Sequence, residues 1–223
     1  MIRKLEIACF NLESAIIAEA NGAHRIELCE NYNEGGITPS EKLIKTVLAA
    51  TDLPVFVMIR PRPGDFCYSE KEIEQMKSQI LLCKENNCDG VVFGILTPDK
   101  NINTIACAEL VRMANPLPAT FHRAFDEISD SEQALEKIIE CGFKRILTSG
   151  GAKTAKEGKG KLKRLIEIAN KRIIIVPGGG VRSSNIADID AFTYATEFHS
   201  AAVIDNTDLA DAIEIQLMCN KTD

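Results

Sequence analysis

The segment Arg25-Ile-Glu-Leu-Cys29 alternates charged and apolar residues, and an amphipathic helix pattern follows it after a glycine-containing loop. About eight such strand-and-helix units run along the chain, and polar residues cluster where the strand-like runs end. Repeated strand–helix units favour a parallel sheet, and about eight of them favour a closed barrel with its site at the strand C-termini. The sequence therefore predicts an α/β fold, a single TIM (β/α)8 barrel closed by pairing of the first strand, Lys4–Phe10, with the last, Tyr194–Phe198.

Length and composition predict one domain over residues 1–223. The 223 residues are close to the roughly 250 typical of this barrel, and 45% of them are hydrophobic, which suffices for a large core. The net charge of −6 argues against nucleic acid and anionic membranes as partners. No apolar run reaches the roughly 18 residues of a membrane span, and the N-terminal segment shows no secretory signal. The eight cysteines have no paired spacing, so we expect reduced thiols in a cytoplasmic protein.

The alternation within each strand predicts which side chains enter the barrel, because one face of each strand packs against the helices. Ile26 and Leu28 suit the helix layer, so Arg25, Glu27 and Cys29 are expected to point inward. The same reasoning places further polar residues inside, with one carboxylate at the rim. These are Glu6, Arg60, His122, Glu197 and His199, with Asp126 at the rim.

Two interpretations of these inward charges remain open. Pairs of the kind Arg25 with Glu27, or Arg60 with Glu197, would form a purely structural plug. A mixed set concentrated at the strand C-termini is more typical of a ligand pocket. We predict a pocket formed by Glu6, Glu27, Arg60, Arg62, Glu197 and His199.

His122 and Asp126 are the candidates for acid–base catalysis. Histidine titrates near physiological pH, and a nearby carboxylate would hold its tautomer and tune its pKa. Arg60 and Arg62 would clamp a carboxylate or phosphate in bidentate fashion. The alternative is that His122 is a core histidine bonded to Asp126 or Glu197.

Glycine-rich loops predict an anion site. The segments Thr148-Ser-Gly-Gly151 and Pro177-Gly-Gly-Gly-Val181 follow late strands, where barrels often bind phosphate through backbone N–H groups. Lys153 and Lys156 would add positive potential nearby. The glycines would otherwise serve only tight turns. The expected donors are Ser149, Gly150, Gly151, Gly179, Gly180 and Ser200.

Metal binding is weakly indicated by the residues alone. Cu(I) prefers soft cysteine and methionine ligands, and only Cys29 and Met58 point into the barrel by parity. Cys83 and Cys88 are five residues apart, which places them on different faces of a helix. Most of the cysteines are therefore expected to be small core side chains.

Several longer motifs resemble the CutC family of copper homeostasis proteins. They include Arg25-Ile-Glu-Leu-Cys29, Phe56-Val-Met-Ile-Arg-Pro-Arg62, Phe121-His-Arg-Ala-Phe-Asp126, Pro177-Gly-Gly-Gly180 and Glu197-Phe-His199. The resemblance runs from Glu6 to Ala201. It implies a TIM barrel, a cytosolic homo-oligomer, a function in copper homeostasis and copper ion binding, with Cys29 matching one of the family's cysteines.

The chain departs from this family in two places. Family members with a proposed Cu(I) site often carry an inward cysteine on the first strand, where this chain has Ala8; Cys9 is adjacent but of opposite parity. The chain also lacks a Met-Gly-Gly-like segment after the last strand, where only Val203–Thr207 separate strand and helix. We therefore expect weak copper binding without a multi-thiolate site.

Three hypotheses remain open. The first is a protein of copper homeostasis that binds copper weakly. The second is a barrel enzyme acting on a small anionic or phosphorylated metabolite through His122 and Asp126. The third is a catalytically silent scaffold or ligand sensor.

Overall fold

A computed structural model describes residues 3–205 and 207–221. Eight parallel strands form one sheet in the order β7-β6-β5-β4-β3-β2-β1-β8. The strands are β1 Lys4–Cys9, β2 Arg25–Leu28, β3 Val55–Met58, β4 Gly90–Phe93, β5 Ala119–Phe121, β6 Arg145–Thr148, β7 Ile174–Pro177 and β8 Glu197–Ser200. The predicted TIM (β/α)8 barrel is confirmed, and so is the pairing of the first strand with the last, in which Lys4 lies opposite Glu197.

One seam of the barrel lacks a strand ladder. Within the described residues β7 and β8 are the two ends of the hydrogen-bonded order. They nevertheless lie side by side, because a Cβ built on Gly178 would be 3.4 Å from the Cβ of His199. The barrel closes there by packing.

Within the described residues, eight α-helices surround the sheet and two short 3₁₀ helices lie at its mouth. Asn11 caps the first helix by accepting from the Ser14 amide at 2.8 Å, and Ser69 forms a capping box with Glu72. Ser40 precedes the second helix but makes no side-chain cap bond. The α-helices are α1 Leu12–Ala20, α2 Glu41–Ala50, α3 Glu70–Glu85, α4 Thr104–Ala114, α5 Ser131–Cys141, α6 Lys159–Ala169, α7 Ile186–Thr193 and α8 Ala212–Cys219, and the 3₁₀ helices are Tyr32–Glu34 and Arg123–Glu127.

The core lies between the outer face of the sheet and the helices. Leu5, Ile7, Ile26 and Leu28 are fully buried there. A second, smaller apolar cluster fills part of the barrel interior and contains Cys29, Phe56, Met58 and Val92. The period-two alternation of these strands therefore separates an apolar outer face from a mixed interior, as the sequence predicted.

The first and last strands differ from their predicted bounds, and β1 ends at Cys9 rather than Phe10. Strand β5 ends at Phe121, because His122 caps a 3₁₀ helix through its Nδ1, which accepts from the Ala124 amide at 3.3 Å. The eighth begins at Glu197 rather than Tyr194, since Tyr194 ends α7 with a φ of 58°. The short segment after β8 includes Asn206, which lies outside the described residues.

None of the helices built from residues 3–205 and 207–221 is long and apolar enough to cross a membrane.

Candidate functional site

A cavity of about 280 Å³ opens where the strands end, at the C-terminal mouth of the barrel. It is lined on one side by residues that follow β2 and β3, and on the other by residues that follow β7 and β8. The residues that line the cavity include Ala8, Glu27, Cys29, Met58, Arg60, Phe66, His122, Arg123, Gly179, Gly180, Arg182, His199, Ser200 and Ala201.

Four buried ionic side chains lie below this cavity. The Arg25 guanidinium contacts Glu197 at 2.7 Å and Glu6 at 3.3 Å, and Arg145 contacts Glu6 at 2.7 Å and Glu197 at 2.9 Å. Burial raises the pKa of Glu6, but Arg145, the hydrogen bond from His199 and Arg25 outweigh burial and hold that pKa well below its usual range. This network is the structural plug, although its pairs differ from those expected.

Glu197 belongs to this plug and does not line the cavity, contrary to its expected place in the pocket. It is the first residue of β8, opposite Lys4, whereas His199 is two residues nearer the mouth. The predicted parity was right, but parity does not give the depth of a side chain along the strand. Both of its ionic partners are arginines of the plug.

His199 bridges the plug and the cavity. Its Nδ1 lies 2.8 Å from Glu6 and its Nε2 3.7 Å from Glu27. One ligand atom from each of Glu6, Glu27 and His199 lies within 4.8 Å of the others. Burial lowers the pKa of His199, but Glu27 and Glu6 together outweigh it and raise that pKa. Burial raises the pKa of Glu27, whose Oε1 has no hydrogen-bond partner among the described residues.

Cys29 lines the cavity beside this group. Its Sγ lies 3.6 Å from a carboxylate oxygen of Glu27, and Met58 packs in the same interior cluster. Burial and the neighbouring Glu27 carboxylate raise the pKa of the Cys29 thiol well above its ordinary value. Ala8 also lines the cavity, whereas Cys9 lies in the outer core with its Sγ directed to the Ile7 carbonyl at 3.6 Å.

The two arginines expected to clamp an anion are committed elsewhere. Arg60 lines the cavity, but its Nη1 donates to the Glu34 and Gly36 carbonyls at 3.0 Å, and its Nη2 donates to the Gly64 carbonyl at 3.1 Å. Arg62 does not line the cavity, because Glu72 at 2.6 Å and Asp65 at 2.9 Å hold it at the rim. Both Nη groups of each guanidinium donate to protein oxygens, and of these guanidinium nitrogens only the Nε of Arg60 has no partner among the described residues.

His122 and Asp126 do not form the expected pair. His122 is 3% exposed, its ring lies 4.7 Å from that of Phe66, and its Nε2 has no partner in the described part of the chain. Burial and the nearby Arg60 charge lower the pKa of His122 to about 3, so the ring is neutral. No hydrogen bond joins it to Asp126 or to Glu197, so the core-histidine bonding considered above is also absent.

Asp126 instead fills the loop after β6. Its carboxylate accepts from the Thr148 hydroxyl and from the Ser149 and Gly151 amides at 3.0 Å, and it pairs with Arg123 at 2.9 Å. The donors of this loop that were expected to hold an external anion are therefore satisfied from within. The remaining amide, that of Gly150, donates to the Thr148 hydroxyl at 2.9 Å.

The loop after β7 differs. Gly179 and Gly180 have φ values of 89° and 72°, and neither amide donates to any described residue. The amide of Ala201, which follows β8, is likewise without an acceptor in the described residues. The Ser200 hydroxyl is occupied, since it donates to the Val181 carbonyl at 2.8 Å and accepts from Arg182 at 3.0 Å.

Three arginines near the site were missed by the sequence reasoning. Arg145 could have been found, because Ile146 faces outward and Arg145 therefore shares the inward parity of its neighbours. Arg123 and Arg182 lie in a 3₁₀ helix and a loop, where no periodicity indicates direction.

Comparison with known proteins agrees with the motifs in the strands. The CutC family model matches residues 3–204. This chain belongs to the CutC family. It is 49% identical over 198 residues to a human copper homeostasis protein cutC homolog, covering 89% of this chain and 72% of that protein. A CutC protein of Parabacteroides distasonis is 48% identical over 203 residues, covering 91% of this chain and 84% of the relative.

The crystal structure of a CutC protein from Streptococcus agalactiae superimposes with a TM-score of 0.85 at 36% identity, covering 90% of this chain and 99% of that one. The resemblance to the CutC family predicted from the sequence is thus confirmed. Seven cysteines of this CutC chain carry free thiols, namely Cys9, Cys29, Cys67, Cys83, Cys88, Cys107 and Cys141.

Proposed function

We propose that this protein acts in cytosolic copper homeostasis and binds copper weakly at the group formed by Cys29, Glu27 and His199. Membership of a family whose relatives are named for copper homeostasis supports the function. The observation that carries the site is the convergence of a thiol, a carboxylate with an unpartnered oxygen and an imidazole at one cavity wall.

The donor chemistry suits copper. A thiol is soft, an imidazole is a common copper ligand, and a carboxylate completes a mixed set. Glu6 holds Nδ1 of His199, which leaves Nε2 directed to the side of Glu27; carboxylate–histidine pairs of this kind orient metal ligands. Bound copper would accept electron pairs from these three groups.

The same surroundings explain why the binding is weak. Only a thiolate is an effective ligand, and burial together with the Glu27 carboxylate raises the pKa of the Cys29 thiol. Copper must therefore displace a proton from Cys29. We expect its affinity to rise with pH, by up to about tenfold per unit while the thiol is protonated.

Anaerobic titration with Cu(I) against a colorimetric chelator tests the proposal. The wild type is compared with Cys29→Ser and with Cys67→Ser, a control thiol in the loop after β3 that does not line the cavity. Cys29→Ser should lower the affinity by about tenfold or more, as loss of a ligand or its support does, and Cys67→Ser should not. Equal affinities, or a tight complex with two or more cysteine ligands, would contradict it.

Two further properties implied by the family belong to the proposal. The free thiols of seven cysteines, Cys9 to Cys141, support a reducing cytosolic location, which cell fractionation tests. Ile16, Ile213 and Leu217 are apolar and exposed on α1 and α8, which supports a homo-oligomer. Size-exclusion chromatography with light scattering should give a mass above the 24.5 kDa of one chain. The mass of a monomer would contradict the proposed homo-oligomer.

A further inference from the structure

We propose that the side of the cavity next to the loops after β7 and β8 binds the phosphate group of a small phosphomonoester, and that His122 donates a hydrogen bond to a carbonyl or hydroxyl oxygen of the same molecule. The proposal does not depend on copper, since none of the residues that carry it is in the copper group.

Backbone donors make up the first part of this phosphate site. The amides of Gly179, Gly180 and Ala201 have no acceptor in the described chain, and all three residues line the cavity. Two consecutive glycines with left-handed φ values, 89° and 72°, form the kind of concave turn whose N–H groups bind anions. Gly179 and Ala201 are half-buried and Gly180 is exposed, so these N–H groups face solvent at the mouth and a phosphate can reach them.

Arg123 places a cationic group beside these amides. A Cβ built on Gly179 would lie 3.0 Å from the Arg123 Cζ and 3.1 Å from its Nη1, so the guanidinium lies directly against this glycine. Asp126 and Ser149 hold its Nε at 2.9 Å and its Nη2 at 3.2 Å. Its Nη1 has no partner among the described residues and remains available to a phosphate oxygen.

Two lysines add positive charge near this edge. Lys153 and Lys156 are exposed in the loop after β6 and have no ion pair within the described residues. Exposed charges of this kind raise the local concentration of an anion, although salt screens them beyond about 8 Å at physiological ionic strength. Arg182 also lines the cavity, and it stabilises the β7–β8 loops by donating to the Val203 carbonyl at 3.0 Å.

His122 supplies the second contact. Its Nδ1 accepts from the Ala124 amide at 3.3 Å, so in the neutral ring the proton is on Nε2. This Nε2 is buried without a partner in the described part of the chain, and His122 lines the same cavity as Gly179. A neutral donor of this type matches a carbonyl or hydroxyl oxygen.

The size of the cavity indicates the class of ligand. A volume of about 280 Å³ is near the lower end of the roughly 300–1,000 Å³ of ligand pockets. It suits a short phosphorylated metabolite rather than a dinucleotide. Dihydroxyacetone phosphate, which carries a phosphate and a carbonyl on three carbons, is therefore a suitable probe.

The first experiment titrates the ¹⁵N-labelled full chain with inorganic phosphate and follows the amide NMR signals. We expect shifts at Gly179, Gly180 and Ala201 at millimolar phosphate, and none at Gly150 and Gly151, whose amides are already bonded. Absence of shifts at the first three residues would overturn the proposal, and so would equal shifts in both loops, which would indicate non-specific binding.

Substitution of arginine tests the cationic contact. Arg123→Gln should weaken phosphate binding by about ten- to a hundredfold, the range for loss of one hydrogen bond to a charged group. Arg112→Gln is the matched control, because Arg112 is exposed near the end of α4 and does not line the cavity. Equal affinities for the two variants would remove Arg123 from the site.

The second contact is tested by the difference between two probes. Dihydroxyacetone phosphate should bind about three- to tenfold more tightly than inorganic phosphate, the gain expected from one further hydrogen bond. His122→Phe should abolish that gain and leave the affinity for inorganic phosphate unchanged. His122→Gln, which retains a donor, should keep part of the gain and serves if the phenylalanine variant does not fold. No difference between the probes in the wild type would overturn the assignment of His122.

Discussion

The loops after β6 and β7 have similar glycine-rich sequences but satisfy their backbone donors in opposite ways. Asp126 occupies the Ser149 and Gly151 amides of the first loop, whereas the Gly179 and Gly180 amides of the second have no acceptor among the described residues. A carboxylate of the protein thus fills in one loop the position that the other leaves for a ligand. Glycines after a strand make an anion site possible, but the nearest carboxylate decides whether it is open.

The largest effect is expected when the loop after β6 loses the Asp126 carboxylate that accepts from its amides. Asp126→Ala should lower the free energy of unfolding by about 4 kcal/mol, because three hydrogen bonds to a charged group are lost and their donors are left unpaired. Urea denaturation measures this. Glu127→Ala is the control, since Glu127 forms only an exposed pair with Lys100 at 3.2 Å, of a kind that contributes about 0–1 kcal/mol.

The same variant should make the loop after β6 bind phosphate as the loop after β7 is expected to do. In Asp126→Ala, phosphate should recover part of the lost stability and shift the Gly151 amide, as it is expected to shift Gly179 in the wild type. If Asp126→Ala is as stable as Glu127→Ala, the loop after β6 is not held by Asp126 and the contrast between the loops disappears.

A smaller effect concerns the neutral imidazole at the open side. The pKa of His122 is about 3 in the folded protein and near 6.5 when unfolded. The unfolded state therefore binds the proton first, so the stability from neutral His122 is complete above about pH 6.5 and is lost progressively towards pH 3. Between pH 6.5 and 4.5 this loss is about 2–3 kcal/mol, at ~1.4 kcal/mol per unit.

Denaturation of the wild type and of His122→Phe over this pH range isolates the contribution, because the other groups titrate in both proteins. The stability advantage of the wild type should shrink as the pH falls. Parallel curves would mean that the imidazole already carries a proton and is not a neutral donor.

Alanine substitutions compare the backbones of the two loops. At Gly150 the φ is 76° and an added Cβ would lie 2.6 Å from the Gly158 carbonyl oxygen, whereas at Gly180 the nearest atom is 3.5 Å away in Thr154. Gly150→Ala should cost about 2 kcal/mol, from clash and strain, and Gly180→Ala about 1 kcal/mol, from strain alone. Thermal unfolding ranks them, and the reverse order would show that the closed loop relaxes more easily.

The smallest expected effect is none. Cys29→Ser should leave the phosphate-induced shifts of Gly179 and Gly180 unchanged, because Cys29 is bonded to Glu27 on the other side of the cavity. A smaller NMR shift would show that the proposed copper ligands and the loop after β7 belong to one site.

The sequence predicted the barrel and the inward set well, because both depend on the period of apolar residues. The predicted pairing of the first strand with the last is observed, and Glu27, Cys29 and His199 line the cavity as their parity indicates. The partner of Asp126 could not be predicted, since the pattern shows that a carboxylate is at the rim but not which loop it enters. Glu197 was wrongly predicted to line the cavity for a related reason. Alternation shows which face of a strand a side chain is on, but not how deep along the strand it lies.

The seam between β7 and β8 links ligand binding at the loop after β7 to the stability of the barrel. These strands touch without a ladder, so the backbone hydrogen bonds that resist opening elsewhere in the barrel are missing at this edge. Gly180 lies after β7 and Ala201 lies after β8. An anion bound by both amides would therefore link the two strands reversibly. Amide hydrogen exchange in β8 would then slow as phosphate binds, because a ligand at the mouth of the barrel would stabilise the adjacent strand against local opening.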